Sequence, residues 1–267
     1  MQNQTAAIHA GYDNSHGHGT MSVPISQTTA YAFRDSEHAA NLFALKELGP
    51  IYTRLTNPTT DVLEQRFAAL EGGAGAICVA SGQAAIFYAI ANVAVAGDNI
   101  LISDKLYGGA VTLLTHTIKR FGIEAKVFRS ADASDLEEQI DDKTKAIFFE
   151  SLSNPQISIA DVEAITSIAK AKGVLTVCDN TVATAALFNP IKWGVDVVVH
   201  STSKYTNGQG TAIGGVIVER DGMAEFFKEN ASRYPDFTQP DPSYHGLVYT
   251  DVPLPNFCLR VRLALLR

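Results

Sequence analysis

Seven short apolar runs, separated by stretches of helical period, constrain the fold of this 267-residue chain more than any other feature. They cover residues 76–80, 99–103, 125–128, 146–149, 174–178, 195–200 and 213–218. Most lack the in–out alternation of a half-solvated strand, which is the pattern of strands covered on both faces. The alternation of strand and helix predicts an α/β fold with a mostly parallel, seven-stranded sheet covered by helices.

The helices carry their own signals. Asn57-Pro58 reads as a helix start, with Leu63, Phe67 and Leu70 on one face and Gly72-Gly73 as the stop. Ser134 and Glu137 have the spacing of a capping box, and Val162, Ile165 and Ile168 repeat before the stop at Gly173. Residues 1–56 mix Gly, His, Ser and Thr with no sustained period and read as an irregular arm. Residues 234–251, rich in Pro, Asp and Tyr, read as a long loop on the substrate side. Residues 259–267 read as an amphipathic helix with no Gly or Pro stop, the pattern of a truncated chain. The expected division is an arm (1–56), a large domain (57–255) and the beginning of a smaller C-terminal domain (256–267).

Composition removes several function classes. A net charge of −7 and no basic strip argue against nucleic acid as a partner. The first residues lack a signal-peptide pattern, so a cytoplasmic location is expected. Cys78, Cys178 and Cys258 are odd in number and far apart, which argues against a disulfide framework and leaves two of them as core filler. The apolar stretch 74–96 is interrupted by Ser81, Gly82, Gln83 and Asn92, so no membrane span is expected. His9, His16 and His18 lack companion Cys or carboxylate ligands, so no metal is expected.

Three groups carry chemistry. Asp179 follows the fifth run, Ser201-Thr202-Ser203-Lys204 follows the sixth, and Ser81-Gly82-Gln83 lies between the first run and an apolar helix. Open α/β sheets bind ligands at the C-terminal ends of their strands. Alone, each group reads as a turn, a cap or a solvated side chain. Together they supply an amine to condense with an aldehyde, an acid for a protonated ring nitrogen, and free helix-start amides for a phosphate. The glycine fingerprint and following acid of a dinucleotide-dependent dehydrogenase are absent.

Here the sequence resembles the Cys/Met-metabolism group of fold-type I pyridoxal-phosphate (PLP) enzymes. The resemblance rests on Ile51-Tyr52-Thr53-Arg54-Leu55-Thr56-Asn57-Pro58, Ala80-Ser81-Gly82-Gln83, Tyr107-Gly108-Gly109, Glu150-Ser151-Leu152-Ser153-Asn154-Pro155, Asp179-Asn180-Thr181 and His200-Ser201-Thr202-Ser203-Lys204-Tyr205. It implies that Lys204 carries the cofactor and Asp179 pairs with its pyridine nitrogen. Ser81, Gly82, Gln83, Ser201 and Ser203 would surround the phosphate, Tyr107 would stack on the ring, and Asn154 and Thr181 would complete the cofactor shell. Without the resemblance, Tyr107 reads equally as a core tyrosine and Asn154 as a turn cap. Tyr52 and Arg54, two apart in an extended segment, would together grip phosphate in a neighbouring subunit. That implies a homodimer with shared sites, commonly paired into a homotetramer.

Within the family, the segment Gln239-Pro240-Asp241-Pro242-Ser243-Tyr244-His245-Gly246 resembles the insertion of O-acetylhomoserine sulfhydrylases more than the lyase pattern. The implied reaction is γ-replacement on O-acetylhomoserine with sulfide, with Lys204, Tyr107, Tyr52 and Asp179 as catalytic residues. The alternatives are a cystathionine γ-synthase, a methionine or cystathionine γ-lyase, or an inactive fragment or partner of a full-length subunit.

Overall fold

All seven apolar runs form strands of one sheet: β1 (Gly75–Val79), β2 (Asn99–Ser103), β3 (Glu124–Phe128), β4 (Thr144–Glu150), β5 (Leu175–Asp179), β6 (Val197–Ser201) and β7 (Gly215–Glu219). The structure is a computed structural model that describes residues 2–17 and 19–266. The strand order is β1-β7-β6-β5-β4-β2-β3. Strands β3, β2, β4, β5 and β6 are mutually parallel, whereas β7 is antiparallel to both β6 and β1. The residues between β6 and β7 form turns and no crossover helix, so β7 returns against its predecessor. Because β1 also opposes β7, it points with the parallel set. The C-terminal ends of β1, β2, β4, β5 and β6 therefore share one edge of the sheet.

Strand parity divides the core into two layers. Ile77, Phe148, Val177, Val199 and Ile217 face one layer, covered by the Gly82–Ala91 helix through Ala85, Ile86, Ala89 and Ile90. Burying Ile86 and Ile90 contributes on the order of 1.5–3 kcal/mol each. Ile147, Phe149, Cys178, Val198 and Val218 face the other layer, covered by the Pro58–Glu71 and Val162–Lys172 helices. Cys178 and Cys258 are buried and all three cysteines are free thiols, so two do fill core space.

Several local expectations are corrected. Asp179 and Ser201 are the last residues of their strands rather than the first after them, because the ladders extend to the pairs Glu150–Asp179 and Ser201–Gly215. Asn57 does cap its helix, accepting from Thr59 N at 2.9 Å, but Leu63 is 42% exposed. The buried face instead carries Glu64, Phe67, Ala68 and Glu71, because the carboxylates have partners on the sheet side. Ser134 forms no capping box: its hydroxyl donates to Asp132 Oδ1 at 2.7 Å, and the Leu136–Gln139 helix has no side-chain cap. The arm is not irregular throughout, since it holds helices at Asn3–His9 and at Ser36–Phe43, the latter capped by Asp35.

The segment 234–251 is anchored at the edge opposite the expected substrate side. The Tyr234 hydroxyl donates to Lys145 O at 2.8 Å and accepts from Leu175 N at 2.7 Å, at the beginnings of β4 and β5. Its aromatic side chains fill the core, where Phe237 stacks on Phe227 with centroids 3.7 Å apart. The expected terminal helix is present as Asn256–Arg260 continued by Val261–Leu265, with Phe257, Val261 and Leu263 buried. No helix among the described residues is long and apolar enough to cross a membrane.

Candidate active site

Every sequence-predicted site residue except Tyr52 and Arg54 lies at or just beyond the shared C-terminal edge. β1 leads into Ser81, whose hydroxyl accepts from Ala84 N at 3.1 Å and caps the Gly82–Ala91 helix. That bond leaves the N–H groups of Gly82 and Gln83 without an intrahelical partner, at the positive end of the helix. Gly82 is required by a close approach, because a Cβ there would lie 2.6 Å from Ser201 Cβ and 2.9 Å from Ser201 Cα. The helix start and the end of β6 are thus in direct contact.

β5 presents Asp179 on the same face. Its Oδ1 accepts from Thr181 N at 2.9 Å, and Thr181 Oγ1 accepts from Ser201 N at 2.8 Å, so Thr181 ties the carboxylate to β6. Burial raises the Asp179 pKa, opposed by the Thr181 hydrogen bonds and by His200. Glu150, paired in register with Asp179, accepts from Tyr107 N at 2.6 Å and Asn154 N at 3.0 Å. It therefore fixes two loops that sequence reasoning treated separately. Burial and the neighbouring Asp179 push the Glu150 carboxyl up to about 7, against those two bonds.

The Tyr107 ring and the Gln83 side chain converge on Gly109, where an added Cβ would meet Tyr107 Cε1 at 2.5 Å and Gln83 Nε2 at 2.6 Å. Tyr107 is 52% exposed, so it is not the core tyrosine that the sequence left open. Lys204 is exposed, on the turn after β6. Its backbone is held at both ends, N–H to Ser201 O at 3.3 Å and C=O from Gly208 N at 2.8 Å. Ser203 Oγ accepts from Gly214 N at 3.0 Å. Asn154 is exposed beside Pro155.

Tyr52 and Arg54 contact each other instead of bonding to this constellation, and Arg54 lines a cavity beside Val79 and Ala80 at the end of β1. The Arg54 guanidinium sits 5.4 Å from the Tyr52 ring centroid and donates to Leu266 O at 3.2 Å. Among the described residues, no hydrogen bond joins either to Lys204, Asp179 or Ser81. No group of three or more His, Cys, Asp or Glu suited to a metal occurs among the described residues, and His18 lies outside them.

Sequence reasoning missed a polar cluster on the far face of the sheet. His200 Nε2 lies 2.6 Å from Glu71 Oε1, with both side chains fully buried. Asn180 Nδ2 donates to the same Glu71 oxygen at 3.1 Å, and Ser151 Oγ donates to Asn180 Oδ1 at 2.7 Å. The available signal was a histidine at the end of a mostly apolar run.

Residues 4–240 match the family described as Cys/Met metabolism PLP-dependent enzyme. O-acetyl-L-homoserine sulfhydrylase of Leptospira meyeri is 45% identical over 249 residues, 93% of this chain and 55% of that protein. The enzyme of the same name from Corynebacterium glutamicum is 43% identical over 267 residues, 99% of this chain and 61% of that protein. A crystal structure from Campylobacter jejuni, described as an O-acetylhomoserine (thiol)-lyase with a pyridoxyl-lysine monophosphate, superimposes with a TM-score of 0.97 and 54% identity over all of this chain and 65% of that one. Cystathionine γ-lyase of Lactobacillus plantarum gives 0.77 and 28% over all of this chain and 64% of that one. The chain spans 55–61% of the length of these two curated relatives. Across nine-tenths of its sequence and throughout its sheet, the chain belongs to the family of Cys/Met-metabolism PLP-dependent enzymes.

Proposed function

We propose that the protein catalyses γ-replacement on O-acetyl-L-homoserine with sulfide, giving L-homocysteine and acetate. The observation that carries this reading is the convergence of an exposed lysine, a buried-edge aspartate and a bare helix start at one sheet edge. The residues fit PLP. The unpartnered Gly82 and Gln83 N–H groups suit a phosphate, and the side-chain-free space at Gly82 lets Ser201 close on it. Similarity to proteins named as sulfhydrylases, against 28% identity to the γ-lyase, favours this over γ-elimination or a cystathionine γ-synthase.

Bound through Lys204, PLP supplies an electron sink for charge that develops on the substrate carbon skeleton. Asp179 would hold the proton on the ring nitrogen, and Thr181 keeps that carboxylate aimed. Gly82, Gln83, Ser201 and Ser203 would hold the phosphate, with Ser81 organising the helix start. Tyr107 would pack on the ring, and Asn154, set by Glu150, would complete the cofactor shell. Lys204 Nζ would act as the base that removes the substrate Cα proton. Tyr107 or Tyr52 assists the later proton transfers. The Cγ–O bond to acetate breaks and a Cγ–S bond to sulfide forms, with no net redox change.

The reading extends to assembly. Tyr52 and Arg54 make no hydrogen bond to the site residues of their own chain, in keeping with an arm (1–56) that completes a neighbouring subunit's phosphate site. From its family membership we further propose a homodimer, paired into a homotetramer, in the cytoplasm. Residues 57–255 are then the cofactor domain and 256–267 the beginning of a smaller one. Arg260 and Arg262 are engaged by Asp236 at 2.7 Å and Glu64 at 2.5 Å, so neither is free for the substrate carboxylate.

The test is borohydride reduction of the PLP-loaded protein followed by peptide mapping, beside assays with O-acetylhomoserine with and without sulfide. Cofactor fixed on Lys204, absent in Lys204→Ala, with sulfide-dependent homocysteine, is expected. A colourless protein that PLP does not restore, or keto-acid release indifferent to sulfide, would overturn the reading.

A further inference from the structure

Three strand ends at the site edge each place one residue up and its neighbour down. Glu150, Asp179 and Ser201 share the face of the Gly82–Ala91 helix, while Ser151, Asn180 and His200 share the face of the Pro58–Glu71 helix. The lower three are joined through one carboxylate. Glu71 Oε1 takes His200 Nε2 at 2.6 Å and Asn180 Nδ2 at 3.1 Å, and its Oε2 takes Asn189 Nδ2 at 3.4 Å. Glu71 is the last residue of its helix, and Gly72 closes that helix in the left-handed conformation.

A buried ionic cluster contributes little net stability compared with apolar packing of the same volume. Stability alone therefore does not account for placing one here, directly under the functional edge. What the cluster does achieve is register. A one-residue slip of β5 or β6 would bring Asn180 or His200 into the site and turn Asp179 or Ser201 away, and the shared carboxylate forbids either slip separately. The upper layer feels the same group, since His200 opposes the effect of burial on Asp179.

We propose that Glu71 is a positioning residue of the cofactor site: through His200 and Asn180 it holds Asp179 and the end of β6 in place, although it touches neither cofactor nor substrate. The inference rests on the reading of Asp179 as the partner of the pyridine nitrogen. His200 Nδ1 has no partner among the described residues, so the ring is held by hydrogen bonding through its Nε2 contact with Glu71 alone.

The experiment compares wild type, Glu71→Gln and, as a control for loss of stability, Ile165→Val in the unrelated Val162–Lys172 helix. It measures PLP affinity of the apoprotein by equilibrium dialysis, the pH midpoint of the visible band of the bound cofactor, and the apoprotein melting temperature. Glu71→Gln is expected to weaken PLP binding about tenfold, the scale seen when a partner one shell out from a ligand is removed. It should also move the pH midpoint by about half a unit or more. Ile165→Val should lower the melting temperature and leave both other readouts alone. Glu71→Gln with only a lower melting temperature would overturn the proposal. Should Glu71→Gln fail to fold, Ser151→Ala removes the outermost hydroxyl of the cluster and should shift both readouts in the same direction; no shift there overturns the proposal too. Wild type that binds no PLP removes the site reading together with the inference, whereas wild-type binding that the variants match removes the inference alone.

Discussion

Replacing Gly82 by alanine tests the geometry of the cofactor site most directly. The added Cβ would lie 2.6 Å from Ser201 Cβ, 2.9 Å from Ser201 Cα and 3.1 Å from Ser201 Oγ. Carbon atoms in ordinary contact sit about 3.5–4.0 Å apart, so the helix start and the end of β6 must separate by roughly 1 Å. Neither yields easily: the helix is held by Ala85, Ile86, Ala89 and Ile90, and β6 is hydrogen-bonded on both sides. Overpacking of this kind costs about 1–3 kcal/mol of stability. In the proposed site the larger effect falls on the phosphate, which would lose simultaneous contact with the helix amides and Ser201. Charged hydrogen bonds contribute about 1.5–3 kcal/mol each, so PLP affinity should fall about tenfold to a hundredfold. Fluorescence titration of the apoprotein with PLP measures it. A folded Gly82→Ala protein that binds PLP within threefold of wild type would refute the assignment of this junction to the phosphate.

Three further outcomes are expected. Asp179→Asn, which keeps the size but not the charge beside the ring nitrogen, should lower kcat roughly 100- to 1000-fold, the scale of removing one electrostatic partner of developing charge; steady-state kinetics that show a smaller loss than tenfold would argue against its role. Glu150 accepts two N–H groups and its carboxyl is pushed up to about 7, so protonation below that pH removes an acceptor from Tyr107 or Asn154. The visible spectrum of the bound cofactor should therefore change around neutral pH in wild type and not in Glu150→Gln, a readout that substrate ionisation does not enter. Glu219, buried under the backbone N–H groups of residues 256–258, is raised from 4.5 to about 8, chiefly by burial. Its folded state favours the protonated form, so its stabilisation is complete below about pH 4.5 and is lost as pH rises toward 8. Urea titrations should show wild type losing up to a few kcal/mol across that window, with a flatter profile for Glu219→Gln.

The sheet was legible because strands covered on both faces leave near-continuous apolar runs, and all seven were found. Their directions were less so: β7 runs antiparallel because the link from β6 contains turns and no helix, and hydrophobic period carries no information on direction. The residues at strand ends were legible as motifs, since Ser81, Tyr107, Asp179 and Lys204 each stand beside a run. Their partners were not. Glu71 is 109 residues from Asn180 and 129 from His200, and a helix-terminal glutamate reads locally as a solvated charge. The same blindness explains Leu63, which the helical period placed inward. Two carboxylates with partners across the fold, Glu64 with Arg262 and Glu71 with His200, set the rotation of that helix instead.

The role proposed for Lys204, to hold a cofactor, release it and then move a proton, needs a fixed backbone and a free side chain. The turn after β6 provides both. Lys204 is tied by its own N–H and C=O to Ser201 and Gly208, and the next residues fold back through Asn207 N to Thr202 O at 3.1 Å. Ser203 is anchored to Gly214, the residue just before β7. The antiparallel return of β7, unexpected from sequence, is what brings Gly214 and Gly215 beside Ser203 and Ser81. A parallel seventh strand would have required a crossover helix at this position, and the turn that carries Lys204 would have lost the strand against which it is braced. The one strand that departs from the parallel set thus braces the turn that carries Lys204, the lysine proposed to hold the cofactor.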